Sequence, residues 1–348
     1  MFNSRLRRFR ISVGLIAALA IVWHGAIASA AWNAAPETIE NHPTWIYTPD
    51  GTAANGKRAL LLVLHGCGQT NTELKDFGNL AAAADEKGMV VAIPGVGDNP
   101  FGPGCWNYDL GLDAGHHVAE ITRLAKTLIQ RSPLRIDANA VYVVGVSSGA
   151  SLSLLLGCAA PDVFAGIGAM EGPSVGTPQA AAVIDGGLIP QTTVSVAIEK
   201  CKALAGGKSG FLHTQVANIA YGDMDRNGAK ARYYYQRGAT DHPGQYLFVS
   251  TKWSEDNVRA LQQIYGTGKL GPETSIQGGG GTERTASAGG HPRIALLVVH
   301  DVGHAWPAGT GEPNSVSSGG LWTAQKSLNY PRYIADWFTR NNRRLGSR

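Results

Sequence analysis

The five residues Gly145-Val146-Ser147-Ser148-Gly149 are the part of this chain best suited to covalent chemistry. Glycines two positions either side of a serine make the GxSxG pattern of a nucleophile elbow. There a strand enters, the serine sits on a tight turn, and a helix leaves. Val141 to Val144 reads as the strand, and Ser148 to Ala159 as the helix. A second match, Gly172-Pro173-Ser174-Val175-Gly176, has prolines on both sides and reads as a loop. A serine hydroxyl needs a base to act as a nucleophile. In elbow enzymes the acid and then the histidine follow the serine, each after a later strand. His304, in Gly303-His304-Ala305-Trp306-Pro307, follows the apolar run Ile294 to Val299 and is the candidate base. Asp225 is the preferred acid, just past Val216 to Tyr221. Asp223 is the alternative, and Asp301 lies very close to His304 in sequence. The oxyanion of an acyl-transfer intermediate needs backbone donors. The amide after the nucleophile, Ser148, is one candidate, and Cys67 in His65-Gly66-Cys67-Gly68-Gln69 is the other.

These residues are spread over 240 positions, so a sheet must gather them. Arg58 to His65, Met89 to Ile93, Ala140 to Val144, Val163 to Ala169, Val216 to Tyr221 and Ile294 to Val299 read as strands. Glu73 to Lys87, His116 to Gln130, Ser148 to Ala159, Asp256 to Tyr265 and Tyr330 to Arg340 read as helices. Strands with continuous apolar runs, mostly followed by helices, predict a parallel sheet covered on both faces. The stretch Gly278 to Gly290 reads as a loop, and no internal repeat is visible.

The N-terminus reads as a signal peptide over residues 1–30. Arg5, Arg7, Arg8 and Arg10 precede an apolar run from Ile11 to Trp23, and Ala28-Ser29-Ala30 offers a cleavage site. The run is short for a stable membrane anchor. An exported chain, in the periplasm or outside the cell, follows. The whole chain carries a net charge of +4, and removal of these four arginines leaves residues 31–348 neutral. That excludes a nucleic-acid partner recognised by charge. The chain is 44% hydrophobic and 16% charged, which fits one large globular domain over 31–348. Four cysteines, Cys67, Cys105, Cys158 and Cys201, predict two disulfides with three possible pairings. No CxxC or HExxH spacing occurs, so neither a metal nor another cofactor is expected. His116, His117 and Glu120 share a helical stretch without a third ligand type nearby, and read as packing.

Several motifs occur together and in order: Leu-His-Gly-Cys-Gly-Gln at 64–69, Cys105-Trp106-Asn107, Gly-Val-Ser-Ser-Gly-Ala at 145–150, Pro161 to Gly166, and Gly-His-Ala-Trp-Pro at 303–307. This set resembles the polyhydroxybutyrate depolymerase family, whose relatives include feruloyl and acetyl xylan esterases. The resemblance runs from about Trp45 to Phe338. It implies an α/β-hydrolase fold, with a mostly parallel central sheet and helices on both faces. It implies Ser147, Asp225 and His304 as a triad, with the Cys67 and Ser148 amides as the oxyanion hole. It also implies Cys67 bonded to Cys105 and Cys158 to Cys201, and Trp106, Asn107 and Trp306 at the substrate cleft. The expected reaction is hydrolysis of a polyester or a small ester, with amorphous poly(3-hydroxybutyrate) or its oligomers as substrate. Only 44 residues follow His304, so no separate polymer-binding domain is expected within this sequence. Two departures stand out. Gly228 replaces the family's apolar residue three positions after the acid, and 229–250, with Tyr233-Tyr234-Tyr235, reads as an insertion that would form a lid. The alternatives are an esterase of feruloylated or acetylated xylan, and a non-catalytic binding protein on the same fold. Oligomeric state is not legible.

Overall fold

The computed structural model describes residues 30–52, 55–97, 104–110, 115–178, 183–184, 187–188, 192–225, 251–312 and 322–345. The signal peptide (all but Ala30), Gly228 and the 229–250 insertion lie outside these residues.

Six parallel strands form the middle of the sheet, in the order β5 (Met89–Pro94), β4 (Arg58–Leu64), β6 (Ile136–Val146), β7 (Gly166–Met170), β10 (Val216–Gly222) and β13 (His291–Val299). Antiparallel strands close both sides. On one side β3 (His42–Thr48) pairs with β5 and carries β1 (Ala31–Trp32) and β2 (Glu37–Ile39). On the other, β12 (Gly281–Ala288) pairs with β13 and β11 (Thr274–Ser275) with β12. Two short pairs lie off the sheet: β8 (Val183–Ile184) with β9 (Gly187–Leu188), and β14 (Trp306–Pro307) with β15 (Thr323–Ala324).

The strands lack alternation because both faces are buried. Leu60, Leu62 and Leu64 pack with α3 (Gly115–Gln130), α4 (Ser148–Ala159), α5 (Val194–Ala205) and α6 (Thr251–Tyr265). Leu61 and Val63, pointing the other way, pack with α1 (Asn71–Phe77), α2 (Leu80–Lys87) and α7 (Tyr330–Asn341). Successive side chains of a strand leave opposite faces, so one apolar run supplies two cores. This is the α/β-hydrolase architecture.

Two sequence expectations need correction. The stretch Gly278 to Gly290 is not only a loop, since Gly281–Ala288 forms β12 against β13. Its Thr282, Glu283, Thr285 and Ser287 are too polar to reveal a strand, and the glycines at both ends mask its limits. The helix expected over Glu73 to Lys87 is two helices. Thr70 and Glu73 cap α1 reciprocally. Asn79 then adopts φ 55°, which a continuous helix cannot accommodate, and α2 starts at Leu80.

Among the described residues no helix is long and apolar enough to cross a membrane. Cys158 in α4 is bonded to Cys201 in α5, closing a sequence separation of 43 residues. A Cys158→Ala/Cys201→Ala variant is expected to lose ~2–4 kcal/mol of stability through the gain in unfolded-chain entropy. Urea denaturation measures this, and an unchanged midpoint would mean that the bridge adds nothing.

Candidate active site

The parallel strands bring their carboxyl ends to one rim, and the candidate triad and oxyanion-hole residues follow those ends. His65 to Gln69 follow β4, Ser147 follows β6, Asp225 follows β10 and His304 follows β13. Open α/β sheets bind ligands along this rim.

Ser147 is held at φ 56°, in the left-handed region that a serine rarely occupies. The neighbouring glycines explain how the turn fits. A Cβ on Gly145 would lie 2.3 Å from the carbonyl carbon of Gly149, and a Cβ on Gly149 would lie 2.4 Å from Leu64 O. Strand β6, helix α4 and the end of β4 therefore meet backbone to backbone. The Ser147 amide donates to Met170 O at 2.9 Å, which ties the elbow to the end of β7. Ser174 of the second GxSxG match lies buried in the loop after β7, with no helix leaving it.

The loop after β4 leans on the elbow. A Cβ on Gly66 would come within 3.2 Å of Ser147 Cβ. Gln69 folds back so that its Oε1 accepts from the Gly66 amide at 2.8 Å, while its Nε2 donates to Trp322 O at 3.1 Å. Cys67 is bonded to Cys105. The next residue, Trp106, donates its amide to Ser148 Oγ at 3.3 Å. The loop carrying the Cys67 amide is thus tied to α4 through Cys105 and Trp106, and to Trp322 through Gln69. Beneath it, His65 is fully buried. Its Nε2 accepts from the Val96 amide, so Nδ1 carries the hydrogen and donates to Gly66 O at 2.9 Å. Burial pushes this imidazole down to about 4, which keeps it neutral.

The loops after β10 and β13 interlock. The Asp223 amide donates to Val299 O and the Met224 amide to Val302 O, both at 2.9 Å. Gly222 is needed here, since a Cβ would sit 2.1 Å from Val302 O. Asp223 Oδ1 accepts from the Asp301 amide at 2.8 Å, so Asp223 braces the loop rather than the ring. Asp225, 1% exposed, reaches His304 instead, with Oδ2 3.1 Å from Nδ1. Asp301 makes no contact with the ring. His304 is 3% exposed, and its Nε2 has no hydrogen-bond partner among the described residues, Ser147 Oγ included.

Sequence reasoning missed Glu171. It follows β7 directly, is wholly buried, and adopts φ 58°. Its Oε1 accepts from the Gly222 amide at 2.7 Å, and its Oε2 lies 3.1 Å from His304 Nδ1. The available signal was its position: an acid at the carboxyl end of an apolar strand, next to the elbow strand. Burial disfavours the imidazolium of His304, but Asp225 and then Glu171 outweigh that and raise its pKa. Glu171, Asp225 and His304 offer ligand atoms within 4.8 Å of one another, the spacing of a metal site. The same arrangement suits one imidazole N–H facing two carboxyl groups.

The aromatic residues expected along the cleft need a different reading. Trp306 is fully buried, donates Nε1 to Gly78 O at 3.0 Å and packs edge-on to Tyr330. It belongs to the core on the α7 side. Trp106 is also fully buried, among the rings of His42, His65 and His117. Neither indole presents a face to solvent, so both support loops rather than line a cleft. Asn107 is buried as well, its amide donating to His117 Nδ1 at 2.9 Å. Partly exposed Trp322, which the sequence did not single out, stands over the loop after β4. Its Nε1 would lie 3.6 Å from a Cβ on Gly68. Buried Glu120 bonds to His42 Nε2 at 3.1 Å and accepts from Asn41 Nδ2 at 2.9 Å.

Residues 44–205 match the family described as Esterase PHB depolymerase. A poly(3-hydroxybutyrate) depolymerase of Ralstonia pickettii is 34% identical over 307 residues, covering 85% of this chain and 57% of that protein. Feruloyl esterase B of Neurospora crassa is 30% identical over 137 residues, covering 38% of this chain and 44% of that protein. The chain thus spans about half the length of these two relatives. Among solved structures, an acetyl xylan esterase from Aspergillus awamori superposes with a TM-score of 0.57 at 17% identity, covering 79% of this chain and 94% of that one. That likeness is one of fold.

Proposed function

We propose that this chain is a serine carboxylic ester hydrolase akin to the polyhydroxybutyrate depolymerase esterases that it resembles over residues 44–205. One observation carries the reading: a strained serine elbow after β6 and a buried imidazole–carboxylate pair after β10 and β13 stand at one rim of the sheet. Asp225 accepts from Nδ1–H of His304 and so leaves Nε2 as the base. His304 takes the Ser147 proton as Oγ attacks the ester carbonyl. The Cys67 and Ser148 amides hold the oxyanion. The imidazolium then protonates the leaving alcohol, and water, activated by the same ring, releases the acyl group. Every proton passes through one nitrogen, and the residues require no cofactor.

The proposed substrate is amorphous poly(3-hydroxybutyrate) or its oligomers. Similarity to the Ralstonia pickettii enzyme over most of this chain supports it. The insertion 229–250 is proposed as a lid, and residues 1–30 as the export signal. Two disulfides suit an oxidising compartment. A second reading, an esterase of feruloylated or acetylated xylan, draws on the Neurospora crassa and Aspergillus awamori relatives.

Labelling with a fluorophosphonate tests the chemistry, with the adduct expected on Ser147. An unlabelled protein would leave the reading of a non-catalytic binder. Parallel assays on amorphous polyhydroxybutyrate granules and methyl ferulate test the substrate. Faster turnover of the granules is expected, and the reverse order would favour the cell-wall reading.

A further inference from the structure

The triad assigns one acid to His304, yet the structure puts two carboxyl groups against the same nitrogen. Asp225 Oδ2 and Glu171 Oε2 each lie 3.1 Å from Nδ1. The hydrogen bond runs to Asp225, and Glu171 Oε2 is buried with no hydrogen-bond partner of its own among the described residues. We propose that Glu171 is a second positioning acid for His304, able to take the Nδ1 hydrogen in place of Asp225. This inference rests on the Ser147–His304 acyl-transfer reading.

Three features support it. First, Glu171 is placed with care: its φ of 58° is a strained conformation for a glutamate, and such strain persists where surrounding structure imposes it. Second, the Gly222 amide grips Oε1 and so aims Oε2 at the ring. Gly222 ends β10, the strand that also leads to Asp225, so both acids take their position from one backbone. Third, the charges balance only one way. Two ionised carboxylates beside a buried imidazole would keep it protonated and unable to accept from Ser147. Two carboxyls sharing a site resist joint ionisation. Burial raises the pKa of Glu171 above the ordinary carboxylate range, although His304 and then the Gly222 and Ala305 amides oppose this. The resting pair then carries one negative charge, on Asp225, and Glu171 is the neutral member. Removal of Asp225 removes the like charge. Glu171 then ionises by losing its proton to solvent, and accepts from Nδ1.

Asp225 and Glu171 are the groups acting on the imidazole among the described residues. Asp223 faces the Asp301 amide, and Asp256 of α6 is paired with Lys252 and Arg259, so neither competes for the ring.

The test compares Asp225→Ala, Glu171→Gln and the double variant on p-nitrophenyl butyrate, as kcat and as the pH profile of kcat/KM. Ser147→Ala is the control, and thermal unfolding checks each variant. In a triad with one acid, loss of that acid costs ~10⁴-fold in kcat. Here Asp225→Ala is expected to lose only ~10–100-fold, Glu171→Gln less than ~10-fold, and the double variant ~10⁴-fold. The loss in the double variant therefore exceeds the product of the single losses.

The pH profile separates this role from a purely structural one. His304 must be unprotonated to act, so activity rises as pH passes its pKa. An ionised carboxylate raises that pKa. Asp225→Ala keeps one carboxylate, so its acid limb stays where the wild type has it. The double variant keeps none, so its limb moves to lower pH. If Asp225→Ala fails to fold, Asp225→Ser carries the same comparison. The proposal is overturned if loss of Asp225 alone costs ~10⁴-fold, or if the double variant is no worse than Asp225→Ala. Retained activity in Ser147→Ala would instead overturn the acyl-transfer reading itself.

Discussion

Ser147→Ala is expected to lower kcat on short nitrophenyl esters by ~10⁵–10⁶-fold while leaving KM and stability near the wild type. In the proposed mechanism the hydroxyl is the attacking atom, and its neighbour in the elbow, Ser148 Oγ, is held by the Trp106 amide. The loss should not deepen when His304→Ala is added, because base and nucleophile act as one unit. Some turnover above the uncatalysed rate should survive, supplied by the Cys67 and Ser148 amides and by substrate binding. Single-turnover kinetics would separate these parts, since the burst of released nitrophenol should vanish with the hydroxyl. A Ser147→Ala enzyme that retained most of its kcat would refute the assignment.

The second large effect concerns a residue with no side chain. Gly149→Ala places a methyl group 2.4 Å from Leu64 O and 2.5 Å from His65 O. Those neighbours are backbone, so no rotamer change relieves the overlap. Helix α4 must move off the end of β4, and Ser147 moves with it relative to the Cys67 amide. We expect a stability loss of ~3–5 kcal/mol, at the upper end for a single substitution. We also expect the folded fraction to lose ~10²-fold in kcat, the scale set by displacement of about an ångström in the reacting groups. Gly207→Ala is the control, because a Cβ there meets nothing within 4 Å. It should change stability by less than ~0.5 kcal/mol. Urea denaturation and kcat on the same preparations decide both. A Gly149→Ala enzyme as stable as the wild type would mean that the elbow does not need close strand–helix contact.

The sequence made some parts of this molecule plain and hid others for physical reasons. The elbow was legible because its strand, its glycines and its helix are contiguous. Ser148–Ala159 emerged with the expected limits because an apolar stretch ends at Pro161. Strand β12 was hidden because it borders the sheet and exposes polar side chains between glycines. Trp106 and Trp306 were misread because a buried indole and a substrate wall leave the same mark in a sequence. Only burial separates them. Glu171 was missed because the elbow pattern anticipates one acid, and Asp225 after β10 already filled that place. Its importance lies in a distance between strands, and no spacing along the chain records that.

The interlock of the segments after β10 and β13 has a consequence for adaptation. Main-chain groups make that join, so side chains there can drift while the ring and its carboxylate keep their relation. The charge-handling half of the proposed site is a prefabricated unit. New specificities should arise instead from the stretches around it, where Trp322 stands.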